Sequence, residues 1–134
     1  MPSQVTAIPA APAHLAEAHF AAEFTFEADC WDVHDALAQG ADFVLLDVRS
    51  AELFARGHVP GAIHFPHGKL VESKLAAWSK DTLFVTYCAG PHCNGAARGA
   101  LRLARLGRPV KIMAGGITGW LDEGFELATA AVPA

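Results

Sequence analysis

Phe43-Val44-Leu45-Leu46 and Leu83-Phe84-Val85-Thr86-Tyr87 are runs of strand length in which almost every side chain is apolar. A strand of that kind has no solvent face and must be covered on both sides, as in a parallel sheet. The segments around these runs supply the cover. Asp29 is placed to cap a helix from Cys30 to Ala38 that Gly40 would stop. Ser50 can cap a short helix from Ala51 to Ala55, ended by Gly57. Leu70, Val71, Leu75 and Trp78 recur at helical spacing between Lys69 and Trp78, and further helices are expected from Gly95 to Leu106 and from Ile117 to Glu123. Ala62 to Phe65 and Val110 to Met113 read as short strands. Helix and strand therefore alternate, which predicts an α/β domain with a central parallel sheet of about five short strands and helices on both faces. Right-handed crossovers would gather the loops that follow the strands at one carboxyl edge.

A chain of 134 residues, 52% hydrophobic and 18% charged, fits one such domain, assigned to residues 29–127. Residues 1–12 are rich in Pro and Ala and read as disordered. Residues 13–28 form a helical extension. Within it His14 to Phe24 reads as amphipathic, with Leu15, Ala18 and Ala22 on one spacing and Phe20 and Phe24 four apart, and packs either on the domain or on a partner subunit of a homodimer. Residues 128–134 are taken as a C-terminal tail. Ten basic against fourteen acidic residues give a net charge of -4 with no basic patch, which argues against nucleic acid as a partner. The first residues lack the charge and apolar core of a secretory signal or membrane span, so a cytoplasmic location is expected. Three cysteines, Cys30, Cys88 and Cys93, are too few and odd in number for a disulfide framework, which agrees with a reducing compartment.

Cys88 is the candidate nucleophile. It ends the second apolar run and precedes Ala89-Gly90-Pro91-His92-Cys93-Asn94-Gly95, a turn that leads into the Ala-, Leu- and Arg-rich helix. Loop amides and a helix N-terminus can both face a sulfur in that position and favour its thiolate. They can also hold an anionic sulfur substituent with no cationic side chain. Gly90 and Gly95 are expected to allow the backbone dihedrals that aim those amides. The alternative is a small core cysteine beside ordinary turn glycines.

Leu45-Leu46-Asp47-Val48-Arg49-Ser50, Glu52 and Gly57-His58-Val59-Pro60-Gly61-Ala62-Ile63 resemble the first signature of the rhodanese-like domains. Tyr87-Cys88 resembles their active-site cysteine, and Gly115-Gly116-Ile117-Thr118-Gly119-Trp120 their closing signature. Three motifs in the expected order, spread over Asp29 to Phe125, make the resemblance specific. It implies a sulfurtransferase of the thiosulfate sulfurtransferase type, in which Cys88 carries sulfane sulfur as a persulfide and Ala89, Gly90, Pro91, His92, Cys93, Asn94 and Gly95 bind the substrate. The donor would be thiosulfate, a small persulfide or a protein persulfide, and the acceptor cyanide or a thiol. No cofactor is implied. It further implies that Asp47 and Arg49 support the site, with Asp47 bonding loop amides and Arg49 pairing with an acid such as Glu52.

The loop departs from the pattern of the family. It is somewhat longer than usual and lacks the Arg or Lys that many members carry there, which argues against efficient use of the thiosulfate dianion. A longer loop also marks phosphatases and arsenate reductases on the same scaffold. Those carry an arginine where this chain has Asn94, and Arg98 is the first arginine beyond it. A regulatory domain without catalysis is the remaining alternative. His92 would tune Cys88 or stand idle. Cys93 would resolve a persulfide, form a reversible disulfide, or pack. Cys88, His92 and Cys93 with His64 and His67 do not match a familiar zinc spacing, so no metal is expected.

Overall fold

A computed structural model describes residues 2–130; Met1 and residues 131–134, the outer ends of the expected disordered segment and tail, lie outside the described residues. The elements follow in the order α1 (Ala13–Phe26), β1 (Glu27–Ala28), α2 (Cys30–Ala38), β2 (Val44–Asp47), α3 (Ala51–Arg56), β3 (Ile63–His64), a 3-10 turn (His67–Lys69), α4 (Glu72–Leu75), β4 (Phe84–Tyr87), α5 (Gly95–Arg105), β5 (Val110–Met113) and α6 (Gly116–Asp122). The strands form one sheet in the order β1-β5-β4-β2-β3, parallel at every pairing.

Side chains alternate across the sheet with the period of two that strand geometry requires. Leu45, Val85, Tyr87 and Met113 face Cys30 and Val33 of α2 and Trp120 of α6. Leu46, Val48, Phe84 and Cys88 face Leu75 of α4 and Ala96 and Leu103 of α5. Each central strand thus feeds two apolar layers, which is why its sequence shows no polar alternation. Cys88 continues the α5-side series of Phe84 and Thr86, and the Thr86 hydroxyl donates to the Ala96 carbonyl at 2.9 Å.

The caps at Asp29 and Ser50 form, with Asp32 N donating to Asp29 Oδ1 at 2.7 Å and Leu53 N to Ser50 Oγ at 3.3 Å. The helix expected between Lys69 and Trp78 is instead broken in two. Extended backbone at Val71 separates the 3-10 turn from α4, so that Leu70 and Leu75 both reach the core. The buried Arg108 closes this segment from beneath, donating to the Leu75, Trp78 and Ser79 carbonyls and pairing with Glu72 at 3.0 Å.

The extension also differs from its amphipathic reading. None of the residues of α1 is buried; Leu15, Phe20, Phe24 and Phe26 are exposed and lie on both sides of the helix. Its last residues lead into β1, an edge strand that pairs with β5. At the other end, Ala128 makes a two-way backbone bridge with His58 at 2.8 and 2.9 Å. Among the described residues, no helix is long and apolar enough to cross a membrane.

Candidate active site

β2 and β4 are neighbours, yet the chain leaves β2 toward β3 on one side and leaves β4 toward β5 on the other. The loops after two such strands diverge, and a crevice opens between them at the carboxyl edge. Here the crevice is a cleft of about 510 Å³ lined by Val48, Arg49 and Ser50 from the β2 loop, His67, and Cys88, Ala89, Cys93, Asn94, Gly95 and Arg98 from the β4 side. A second cleft, of about 320 Å³, meets the other flank of the loop at Gly90, Pro91 and Cys93 and is also lined by Cys88. Every residue from Cys88 to Gly95 except His92 lines one or both. His92 is exposed and lies outside both clefts.

The loop is held from below by α6. Ile117 N donates to the Cys88 carbonyl at 3.1 Å, and Thr118 N to the Ala89 carbonyl at 2.9 Å. In a trans peptide the N–H points opposite to the C=O, so the Ala89 and Gly90 amides face away from α6. Gly116 makes this approach possible. Its φ is +56°, and a Cβ there would run into the Cys88 carbonyl. Cys93 N then donates to Gly90 O at 3.1 Å, closing a turn with Pro91 at its second position.

Cys88 and Cys93 are joined as a disulfide, with their Cα atoms 6.3 Å apart. Cys88 is 6% exposed, whereas Cys93 is exposed at the rim. The amide that meets sulfur also differs from expectation: Gly95 N, in the first turn of α5, donates to Cys93 Sγ at 3.5 Å. The helix N-terminus thus addresses the outer cysteine of the pair. Gly90 and Gly95 do not adopt positive φ, which corrects the dihedral role expected of them. They are needed for room. A Cβ on Gly95 would lie 2.9 Å from Cys88 Sγ and 3.5 Å from Cys93 Sγ, and one on Gly90 would lie 2.7 Å from Thr118 Oγ1.

Asp47 and Arg49 form a buried cluster with Tyr87. Arg49 donates from Nε and Nη2 to the Asp47 carboxylate at 2.7 to 3.2 Å, and its own backbone N–H donates to Oδ1 at 3.0 Å. The Tyr87 hydroxyl donates to Asp47 Oδ2 at 2.7 Å and accepts from Val59 N at 3.1 Å. Arg49 therefore pairs with Asp47 and not with Glu52, which stays exposed. Among the described residues one loop amide, that of Arg49, reaches Asp47, and the rest of its capacity goes to the guanidinium and the phenol. Burial works against the Arg49 charge, but the hydrogen bonds and charge of Asp47 carry its pKa above the ordinary value. Burial and the neighbouring carboxylate hold the Tyr87 phenol far above its usual range, so it remains a donor. Arg49 Nη2 also donates to Gly57 O at 2.6 Å, and His64 Nε2 to Arg49 O at 2.8 Å. The cluster ties β2, β3 and β4 together beside the cleft.

Arg98 and His67 join the cleft wall beside the site residues that the sequence predicts. Asn94 Oδ1 accepts from Arg98 Nε at 3.1 Å, which brings a guanidinium to the cleft one helical turn after the loop. The i, i+4 spacing of Asn94 and Arg98 is the signal that would have found it. His67 also reaches the cleft, and its Nδ1 is buried without a hydrogen-bond partner among the described residues. Among the described residues, no three His, Cys, Asp or Glu side chains converge to hold a metal ion.

The model of the rhodanese-like domain matches residues 31–123. The crystal structure of the BH2092 protein from Bacillus halodurans is similar at 34% identity and a TM-score of 0.84, covering 88% of this chain and 87% of that one. Thiosulfate sulfurtransferase from Pseudomonas aeruginosa shares the fold at 24% identity and a TM-score of 0.69, over 84% of this chain and 22% of its own. The HTH-type transcriptional regulator Rv0324 of Mycobacterium tuberculosis is 38% identical over 90 residues, which are 66% of this chain. The match spans 39% of that regulator's length.

Proposed function

The chain belongs to the rhodanese-like domain family, and from that membership we propose that it is a sulfurtransferase working through a persulfide on Cys88. In the reduced state the Cys88 thiolate attacks the outer sulfur of a sulfane donor. A bond forms from Sγ to that sulfur, the donor's own bond to it breaks, and the remainder leaves as an anion. A thiophilic acceptor then attacks the outer sulfur and expels the Cys88 thiolate.

The observation that carries this reading is the position of Cys88. It is the first residue after the central strand β4, it lines the cleft at the switch point, and it is followed within one loop by the N-terminus of α5. Of the cations lining the cleft, Arg49 is paired with Asp47 and Arg98 stands at the wall and not within the loop, so a donor whose reacting group carries less charge than the thiosulfate dianion fits better. A small persulfide or a protein persulfide is such a donor. Asn94 engages Arg98 from the position where phosphatases and arsenate reductases of this scaffold carry their own arginine, which leaves the phosphoryl-transfer reading without its clamp.

The match to a transcriptional regulator favours a second reading, in which the domain senses sulfane sulfur or oxidants and relays no sulfur. Mass spectrometry of the reduced protein after incubation with a small persulfide tests the first. A one-sulfur adduct on wild type that is absent from Cys88→Ser, and that cyanide removes as thiocyanate over many cycles, is the expected result. Adduct formation without turnover to any acceptor would favour the second reading.

A further inference from the structure

We propose that Cys93 resolves the Cys88 persulfide, releasing the outer sulfur as hydrosulfide and leaving the Cys88–Cys93 disulfide. This rests on the reading of Cys88 as the sulfur carrier and adds a second outlet for the sulfur it holds. In transfer, an external acceptor attacks the outer sulfur. In resolution, the Cys93 thiolate attacks the inner sulfur, Cys88 Sγ. The bond from Cys93 Sγ to Cys88 Sγ forms, the bond from Cys88 Sγ to the outer sulfur breaks, and that sulfur leaves with the electron pair as hydrosulfide. The Cys93 thiol gives its proton to solvent. The two cysteine sulfurs are oxidised to the disulfide while the sulfane sulfur is reduced to sulfide. Two equivalents of a small thiol, or one of a dithiol, then restore both cysteines and leave as the oxidised disulfide.

Three features carry this. The product of the step is the state the chain adopts: the turn from Gly90 to Cys93 sets the two Cα atoms 6.3 Å apart, within bonding range, and the sulfurs are joined. The loop is packed around that pair. Gly95 leaves no space for a side chain beside the Cys88 sulfur, and its amide donates to Cys93 Sγ, favouring the thiolate that resolution needs. Finally, access differs between the two sulfurs. Cys93 is exposed and Cys88 is 6% exposed, so an external thiol reaches the disulfide at Cys93 and expels Cys88 as the leaving thiolate. The nucleophile is thereby the first sulfur freed, ready for another donor.

The test loads reduced wild type and Cys93→Ser with glutathione persulfide, removes excess reagent without oxygen, and follows both without acceptor or reductant. Hydrosulfide is trapped by a bimane reagent, and the protein is read by intact mass. Wild type should release close to one equivalent of hydrosulfide and end as the intramolecular disulfide. Cys93→Ser should hold its adduct at least about tenfold longer. Equal adduct lifetimes and equal sulfide release in the two proteins would overturn the resolving role and leave sulfur carriage by Cys88 intact. Should neither protein take up sulfur at any stage, and wild type form no disulfide, both readings fall. Because the Cys93 side chain sits at the exposed rim, the serine variant keeps the packing of the domain.

Discussion

Cys30 and Cys88 are both buried, Cys30 opens a helix and Cys88 precedes one by a six-residue loop, and both pack about the turn from Ala114 to Gly116, yet their sulfurs meet different surroundings. The Cys30 thiol, in the first residue of α2, faces oxygens: its S–H is shared between the Ala114 carbonyl at 3.4 Å and the Gly116 carbonyl at 3.7 Å. Burial, followed by the negative charges of Asp29, Glu123 and Asp122, pushes its pKa from 9.0 up to about 11. Cys88 shows α6 its carbonyl instead, and that carbonyl takes the amide of Ile117. The Cys88 sulfur is left to the cleft and to Cys93. A helix N-terminus therefore does not by itself activate a thiol. The difference is that carbonyls hold the Cys30 thiol, whereas the Cys88 sulfur opens on a cavity.

The Asp47–Arg49–Tyr87 cluster holds the end of β4, and with it Cys88, in place, so emptying that cluster should have the largest effect. Asp47→Ala leaves the Arg49 guanidinium buried without its partner, and a loss of about 3 to 5 kcal/mol in urea unfolding is expected. A loss under about 1 kcal/mol would mean that the cluster is dispensable to the strand end.

A matched pair of glycine substitutions sharpens the contrast. Gly95→Ala sets a methyl group 2.9 Å from Cys88 Sγ, and Gly119→Ala sets one 3.2 Å from Cys30 Sγ. Each should cost about 1 to 3 kcal/mol of stability through overpacking. Only Gly95→Ala should slow sulfur uptake, by roughly 10- to 100-fold, because it displaces the sulfur proposed to react. Equal uptake rates for the two variants would erase the distinction between the cysteines.

The smallest effect is alkaline. The folded state keeps the Cys30 proton to about pH 11, while the unfolded chain releases it near 9.0. Above pH 9 the folded state thus binds more protons than the unfolded one, and stability falls as pH rises toward 11. Denaturant midpoints at pH 8 and pH 10.5 should separate less for Cys30→Ala than for wild type. The same separation in both would place the alkaline loss elsewhere, with the Tyr87 phenol next in line.

Much of this was readable from the chain, and the reasons differ by element. β2 and β4 announce themselves because both their faces are buried, β5 because a short apolar run precedes a glycine turn, and α2 because Asp29 caps it. β1 has two residues, too few to carry a period, and exists only because β5 offers it an edge. The break at Val71 follows from seating Leu70 and Leu75 in one core, a demand that helical spacing alone does not reveal. The position of Cys88 after β4 was legible as a strand-to-loop junction. The partner of Arg49 was not, since Asp47 and Glu52 are both near in sequence and the choice depends on which is buried. Gly90 and Gly95 suggest torsional freedom in the sequence, whereas the neighbours that require them to be glycine, Thr118 and the Cys88 sulfur, come from distant or folded-back chain.

Strand parity has a consequence for how this domain can vary. One residue added or lost between Phe84 and Tyr87 would exchange the two layers beyond the change. The sulfur would then emerge beneath α2 and α6, and the phenol would turn away from Asp47, although the run would remain as greasy as before. Length in β4 is therefore fixed modulo two by the side chains at its end.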